Sequence, residues 1–440
     1  MNNKLNINSI LIICLIFVNV FIYIDYKKYI FNNNKEVFLS SNTTNTVDNT
    51  ALAYLVETDI NSGNYDYSSD NNWPTDTNDI FYKYNSSKSH CMKGGSISFN
   101  NVNHYLTVSS NKTDYCYVYF NKYSNTAYNR ILNDNGGSSA ITLKGTPSYN
   151  YTSTTNAGMY SATDSYGTSY YYRGAVNNNW FLFANIYWRI VRINGDNSIR
   201  LIYSGTTAPT SDTATVMTGT GTQINTSAFN SSTSTAEYVG YKYTSGSQHG
   251  LGTNSTIKST LDTWYTSNLS SYSSYLTDKI YCNDRSAYSN TSGSSSATGT
   301  GTTSQYFGPY VRLKTNKSPI FTCPTISDAF TVSDSTHGNA SLTNPVGLLT
   351  ADEASMAGAV YSNSNSSYYL YTNNEFWTMS PSYNIKPLFI NGVYGYTISS
   401  TGSIRETSIS TSDGIRPVIN LVSTVHITGT GVYNDPYRLS

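Results

Sequence analysis

SYYYRGAVNNNWFLFANIYWRIVRINGDNSIRLIY, residues 169–203, holds four apolar, aromatic-rich runs separated by turn residues. Residues 169–174, 180–183, 187–193 and 198–203 read as strands, broken at 177–179 by three asparagines, at 184–186, and at 194–197 by Asn194, Gly195, Asp196 and Asn197. The last break suits a hairpin loop in which Gly195 takes a positive φ. Alternation along 187–193 sends Trp188, Ile190 and Arg192 to one face and Arg189, Val191 and Ile193 to the other. Both faces must then be covered, which predicts a sheet inside a domain.

Around this sheet the periodicity changes. Ile257, Leu261, Trp264, Tyr265, Leu269, Tyr272 and Leu276 recur at three and four, predicting a core-facing helix over about 255–276 capped by Ser255 or Thr256. Thr350-Ala351-Asp352-Glu353 is a capping-box sequence that opens a second helix. Short strands follow at 375–381, 385–390, 394–399, 402–406 and 414–421, with Pro381 and Pro417 suited to strand ends or an edge. The Ser/Thr/Gly-rich stretches 206–235 and 286–304 read as surface loops.

Upstream, 96–99, 105–108 and 115–120 predict a small three-stranded meander within a module over 80–120, too small to hold together without a staple. Cys91 and Cys116 flank it, and Cys282 and Cys323 flank a second segment. Four cysteines allow three pairings, and proximity favours Cys91 with Cys116 and Cys282 with Cys323. Bridges of that kind imply an oxidising exterior. No zinc-type spacing occurs, so no metal or cofactor is expected. Residues 121–168 read as a connecting region, 51–60 as a short helix, and 32–79 as stalk and linker. Residues 7–24, INSILIICLIFVNVFIYI, are apolar over roughly 27 Å of helix, enough for a bilayer core. Within a segment 1–31 they predict a single-pass anchor in the cell membrane with the C-terminal bulk outside. A cleaved signal peptide, a lipoprotein signal ending at Cys14 and a buried helix are the alternatives.

Lys plus Arg number 26, as do Asp plus Glu, so the formal net charge is zero and charged residues make up 12% of the chain. Nothing here is built to bind nucleic acid. Ser, Thr and Asn supply roughly 40% of the residues and with them the solubility that charge usually gives. The 42 tyrosines suit half-exposed sheets and sugar- or protein-contacting surfaces.

Residues 169–203, with Tyr281 to Ser286, Phe321 to Pro324, Gly347 to Glu353, Trp377 to Pro381 and Gly414 to Leu421, resemble a group of surface proteins from low-GC gut Firmicutes. The Trp-x-x-Ser-Pro and Gly-x-Arg-Pro-x-x-x-Leu patterns at 377–381 and 414–421 also resemble a domain of unknown function with a C-type-lectin-like or formylglycine-generating-enzyme-like fold. The resemblance implies a surface location and supplies no reaction.

The resulting expectation is an α+β, β-rich protein: an N-terminal transmembrane helix, a small disulfide-bridged β module, and a larger domain over 169–440 of antiparallel sheets with two main helices. Its expected role is recognition or adhesion without catalysis, toward a surface glycan, a host protein or an envelope protein. A structural envelope role and a glycan-active hydrolase are the alternatives. Trp377, Tyr383 and Lys386 are candidate ligand contacts. Of the carboxylates that a hydrolase would need in pairs, Asp284, Asp352, Glu353, Glu375 and Asp413, none is paired by spacing. Asp284 beside Arg285 reads as a local charged cap or buried ion pair. His337 lacks a positioned nucleophile, and Arg189, Arg192, Arg200 and Arg416 read as supports for strands and loop carbonyls, with binding of an anionic group as the alternative.

Overall fold

The computed structural model describes residues 51–68, 74–100, 105–110, 113–150, 156–211, 218–301, 303–385 and 392–440. The membrane-anchor expectation on 7–24 lies outside them, and no helix among the described residues is long and apolar enough to cross a membrane. The protein is β-rich with few helices and divides into two compact units between Asn125 and Thr126.

In the first unit the strands are β1 (Ala51–Glu57), β2 (Tyr65–Tyr67), β3 (Ile80–Tyr84), β4 (His90–Cys91), β5 (Ser96–Asn100), β6 (Tyr105–Ser109) and β7 (Tyr115–Ser124). Instead of the meander, β5 and β6 form their own hairpin, while β7 lies at the centre of a sheet ordered β2-β1-β7-β3 with β4 also on β7. The segment 51–57, read as a helix, is β1, and it pairs in parallel with β7 from Ala51 opposite Tyr115 to Val56 opposite Phe120. A short apolar run does not reveal its period; here a partner strand on each edge decides it. Leu52 and Tyr54 complete a core with Leu106, Val108, Cys116, Val118 and Phe120, so the folded part begins before residue 80. Cys91 lies directly opposite Cys116 in the register, and the two are bonded.

The second unit contains α1 (Ala127–Asp134), then β8 (Gly158–Asp164), β9 (Gly167–Arg173), β10 (Trp180–Phe183), β11 (Ile186–Ile193), β12 (Ile199–Tyr203), α2 (Thr256–Asn268), α3 (Ala351–Ala357), β13 (Phe376–Ile385), β14 (Gly392–Ile398), β15 (Ile404–Ser408), β16 (Val418–Leu421) and β17 (Tyr437–Leu439). One sheet runs β16-β12-β11-β10-β17, with β9 on β11 and β8 on β9. The four strands read from 169–203 are therefore present, and the unit starts earlier than 169. The other sheet is built on β13, with β14 and β15 following it antiparallel. The sheets are mostly antiparallel, with β10–β17 and β13–Asp413/Gly414 as parallel pairings. Pro381 lies inside β13, not at its end, where the ladder to β14 slips register and spares the missing N–H. In the 194–197 hairpin the positive φ falls on Asn197, at 71°. Gly195 is required for room, because a Cβ there would meet Gly167 and the Asp164 carboxylate. Cys282 is bonded to Cys323.

Arg192 and Arg200 face each other across β11 and β12, a cross-strand placement that repels. The repulsion is relieved by Glu353, at the third position of α3. Its carboxylate lies 3.1 Å from Arg192 and 2.6 Å from Arg200, and also takes the Thr350 N–H at 2.9 Å to complete the capping box. Asp164, at the β8–β9 turn, holds the other side of Arg192 at 2.6 Å and accepts the Gly195 N–H at 3.0 Å. Burial pushes the Glu353 carboxyl up, but Arg200, Arg192 and the Thr350 amide outweigh it and hold the group below the usual carboxylate range.

Glu353→Gln should cost about 3 kcal/mol in denaturant unfolding, because it keeps the shape of the cap but leaves the buried Arg200 guanidinium without a carboxylate and Arg192 with Asp164 alone. The depressed folded-state pKa makes the native contribution complete above the unfolded-state value and lost as pH falls through the folded one. The parent should therefore lose stability at the acid end of an unfolding series, and the variant should lose less of it.

Candidate functional site

Two concavities among the described residues of the second unit bear on function. The first is enclosed and lined by Asp164, Arg192, Arg200, Asp284, Arg312, Asp352 and Glu353, among others, around a void of about 20 Å³. That is room for about one water. Its charges are all paired: Arg312 binds Asp284 at 2.6 Å and Asp352 at 2.9 Å, beside the Asp164–Arg192–Glu353–Arg200 group. It is an internal brace with no space for a ligand.

The second is a groove of about 770 Å³ open to solvent. One wall is α2. Ser255 caps that helix by accepting the Lys258 N–H, and Ile257, Leu261 and Tyr265 bury its inner face. On the outer side, Thr256, Thr260, Trp264 and Asn268 form one i, i+4 row and Ser259, Thr263 and Ser267 a second, all of them lining the groove. The opposite wall comprises Ile224, Asn225, Asn230 and Ser231, with Tyr243 and Asn254 at one end. No lining residue carries a charge. The charged pair of α2, Lys258 and Asp262, forms its own ion pair outside the lining. Trp264 is half-buried, edge-on to Tyr203 at 5.9 Å and Trp188 at 6.4 Å, which fixes its ring at the groove.

Backbone pairing fixes the far wall. Thr226–Ser227 pairs with Asp413–Gly414, the Ile224 N–H donates to the Ile415 carbonyl at 3.0 Å, and the Asn230 N–H donates to the Ile409 carbonyl at 3.0 Å. Trp377, expected as a ligand contact, is 1% exposed. Its indole N–H donates to the Ser227 carbonyl at 2.9 Å and its ring packs on Phe229, so it braces the wall from behind and cannot stack on a ligand. Tyr383 lies on β13, stacked on Tyr394 at 4.6 Å and away from both concavities. Lys386 lies outside the described residues. Trp377 and Tyr383 line neither concavity, and the groove aromatics are Trp264 and Tyr243. The sequence does carry a signal for them: Ser and Thr recur at 256, 259, 260, 263 and 267 on a helix face where Glu and Lys would be better formers.

The remaining ionisable candidates find local partners. Asp284 and Arg285 do not pair with each other; Asp284 binds Arg312, and Arg285 binds Asp328 at 2.7 Å. His337 is held by Asp334 at 2.8 Å. Arg189 donates to the Val176 carbonyl, and Arg416 donates to the Tyr203 and Leu370 carbonyls, in the supporting role read from sequence. Arg200 donates to the Ile280 carbonyl at 3.2 Å and also meets the Glu353 carboxylate, while Arg192 meets the carboxylates of Asp164 and Glu353. The described residues include one trio of metal-type ligands, Cys91, Asp114 and Cys116, whose sulfurs are spent in the disulfide.

One carboxylate pairing was not legible. Glu375 and Asp413 come close enough to interact, behind the groove wall and outside its lining. Glu375 is occupied by the Thr397 and Thr407 hydroxyls and by Arg405 at 3.2 Å, while Asp413 Oδ2 is buried without a partner. Burial first and Glu375 second push Asp413 up to about 6, against the pull of Arg405. Its contribution to stability is full below the ordinary value of 3.8 and is lost as pH rises through about 6. Asp413→Asn should therefore match the parent near pH 4 and exceed it above about pH 6 by on the order of 1 kcal/mol, after allowance for solvent screening, in paired melting curves.

No protein-family model, no curated protein and no solved structure matches this chain.

Proposed function

We propose that the chain is held at the outer face of the cell membrane by residues 7–24 and works as a non-catalytic recognition or adhesion protein, with a glycan or protein as its ligand. The observation that carries this reading is the open groove between α2 and 224–231. It is large enough for a ligand, framed by two aromatic rings, and lined without a single carboxylate, imidazole or thiol. No group that could do acid–base work lines it. Glu375 and Asp413, the pairing that would favour a hydrolase, lie outside both concavities, and Glu375 is already occupied by hydroxyls and a guanidinium. The two disulfides fit an oxidising exterior.

In cells that produce the protein, the full chain should fractionate with membranes and be cut by protease added outside. Immobilised, it should bind saturably to members of an array of cell-wall polysaccharides, host glycans and extracellular proteins. Recovery from the soluble cytosol with free thiols would overturn the location. Absence of any saturable ligand would overturn recognition in favour of a structural envelope role.

A further inference from the structure

We propose that the groove takes a neutral saccharide chain, whose hydroxyl groups hydrogen-bond to serine and threonine oxygens and to an asparagine amide and whose C–H face rests on Trp264; this deepens the recognition reading and rests on it.

The argument begins with where the hydroxyl protons go. Along α2, Ser259 donates to the Ser255 carbonyl at 3.2 Å, Thr260 to Thr256 at 3.1 Å, Thr263 to Ser259 at 3.0 Å and Ser267 to Thr263 at 3.2 Å. Each proton is committed to the helix backbone, and each oxygen keeps lone pairs on the groove side. Across the groove, Asn230 is only 2% exposed. Its amide nitrogen donates to the Tyr238 carbonyl at 3.3 Å. The α2 wall therefore presents acceptors, while Asn225 on the other, whose oxygen takes the Thr226 N–H at 2.9 Å, offers its amide N–H groups, and the matching ligand is rich in hydroxyls that both give and take hydrogen bonds.

Charge narrows the class. With no cation in the lining, a carboxylate or phosphate would be desolvated there without a counter-charge. With no anion, an ammonium group would fare no better. A peptide backbone fixes the direction of each N–H and C=O, so its carbonyls would face the oxygen rows, whereas a hydroxyl rotates to donate or accept as its neighbour requires. A neutral saccharide offers hydroxyls that donate, ring hydrogens that suit an indole face, and no charge. Successive residues in each row of α2 are about 6 Å apart along the axis, so neighbouring sugar units can meet successive oxygens.

The experiment is calorimetric titration of the full-length chain with cellotetraose, chitotetraose and mannotetraose, alongside tetragalacturonate and an uncharged Gly-Asn octapeptide. The variants are Thr263→Val with Ser267→Ala, which removes two exposed acceptors, and Thr266→Val, a matched change on the same helix outside the lining. At least one neutral tetrasaccharide should bind, the double variant should weaken it roughly tenfold with an unchanged melting temperature, and Thr266→Val should bind like the parent. Tighter binding of tetragalacturonate or the peptide would overturn the saccharide assignment and leave recognition standing. Saccharide binding that ignores the double variant would overturn the groove as its place. No saturable ligand here or on the array would overturn both.

Discussion

A single buried carboxylate holds the second unit in register. Arg192 and Arg200 sit opposite each other on neighbouring strands, where two like charges would drive the strands apart, and Glu353 reaches between them from the first turn of α3. The same carboxylate closes the capping box, so forming the helix end and neutralising the sheet are one event. Asp164 extends the link to the β8–β9 turn. Beside it, Arg312 ties the neighbouring Asp352 to Asp284. With these groups satisfying one another, the small void among them is no vacant binding site.

This use of charge shapes the surface as well. Six of the chain's ten arginines are buried, where they hold carbonyls and carboxylates. In a protein with so few charges, spending cations inside leaves hydroxyls and amides to meet water. Tyrosine follows the same pattern further than its amphipathic character suggests. Tyr54, Tyr171, Tyr172 and Tyr241 are among the largest fully buried side chains, and burial pushes their phenols up. The abundance of Tyr therefore builds core as much as it builds surface.

What could be read from sequence depended on the range of the determining contact. The strands of 169–203 were legible because Asn and Gly punctuate apolar runs, and the capping box because its partners are three residues apart. The partners of Glu353 are 161 and 153 residues away, and nothing local announces them. β1 was misread because ALAYLV is apolar throughout up to Glu57, and only β7 and β2 give it a period. The two tryptophans exchanged roles for a related reason. Trp264 belongs to the apolar stripe by spacing yet stands at the edge of the core, while Trp377 precedes a proline in a strand segment that the second sheet covers completely.

The helix face at the groove is the place where local preference and tertiary placement disagree. Ser and Thr are weaker helix formers than Glu or Lys, by a few tenths of a kcal/mol per position, and α2 carries five of them along its groove side. Composition alone does not force this, since α1 places an Arg130–Asp134 pair at i, i+4 on its surface, and α2 itself carries Lys258 and Asp262. Those two pair with each other outside the lining, leaving a wall of oxygens whose protons are turned inward. Thr266, outside the lining, turns its proton to the Asp262 carbonyl in the same way at 2.9 Å, so what sets the groove face apart is its absence of charge. On the proposal of a neutral saccharide ligand, the stability given up along α2 is the cost of keeping that face uncharged.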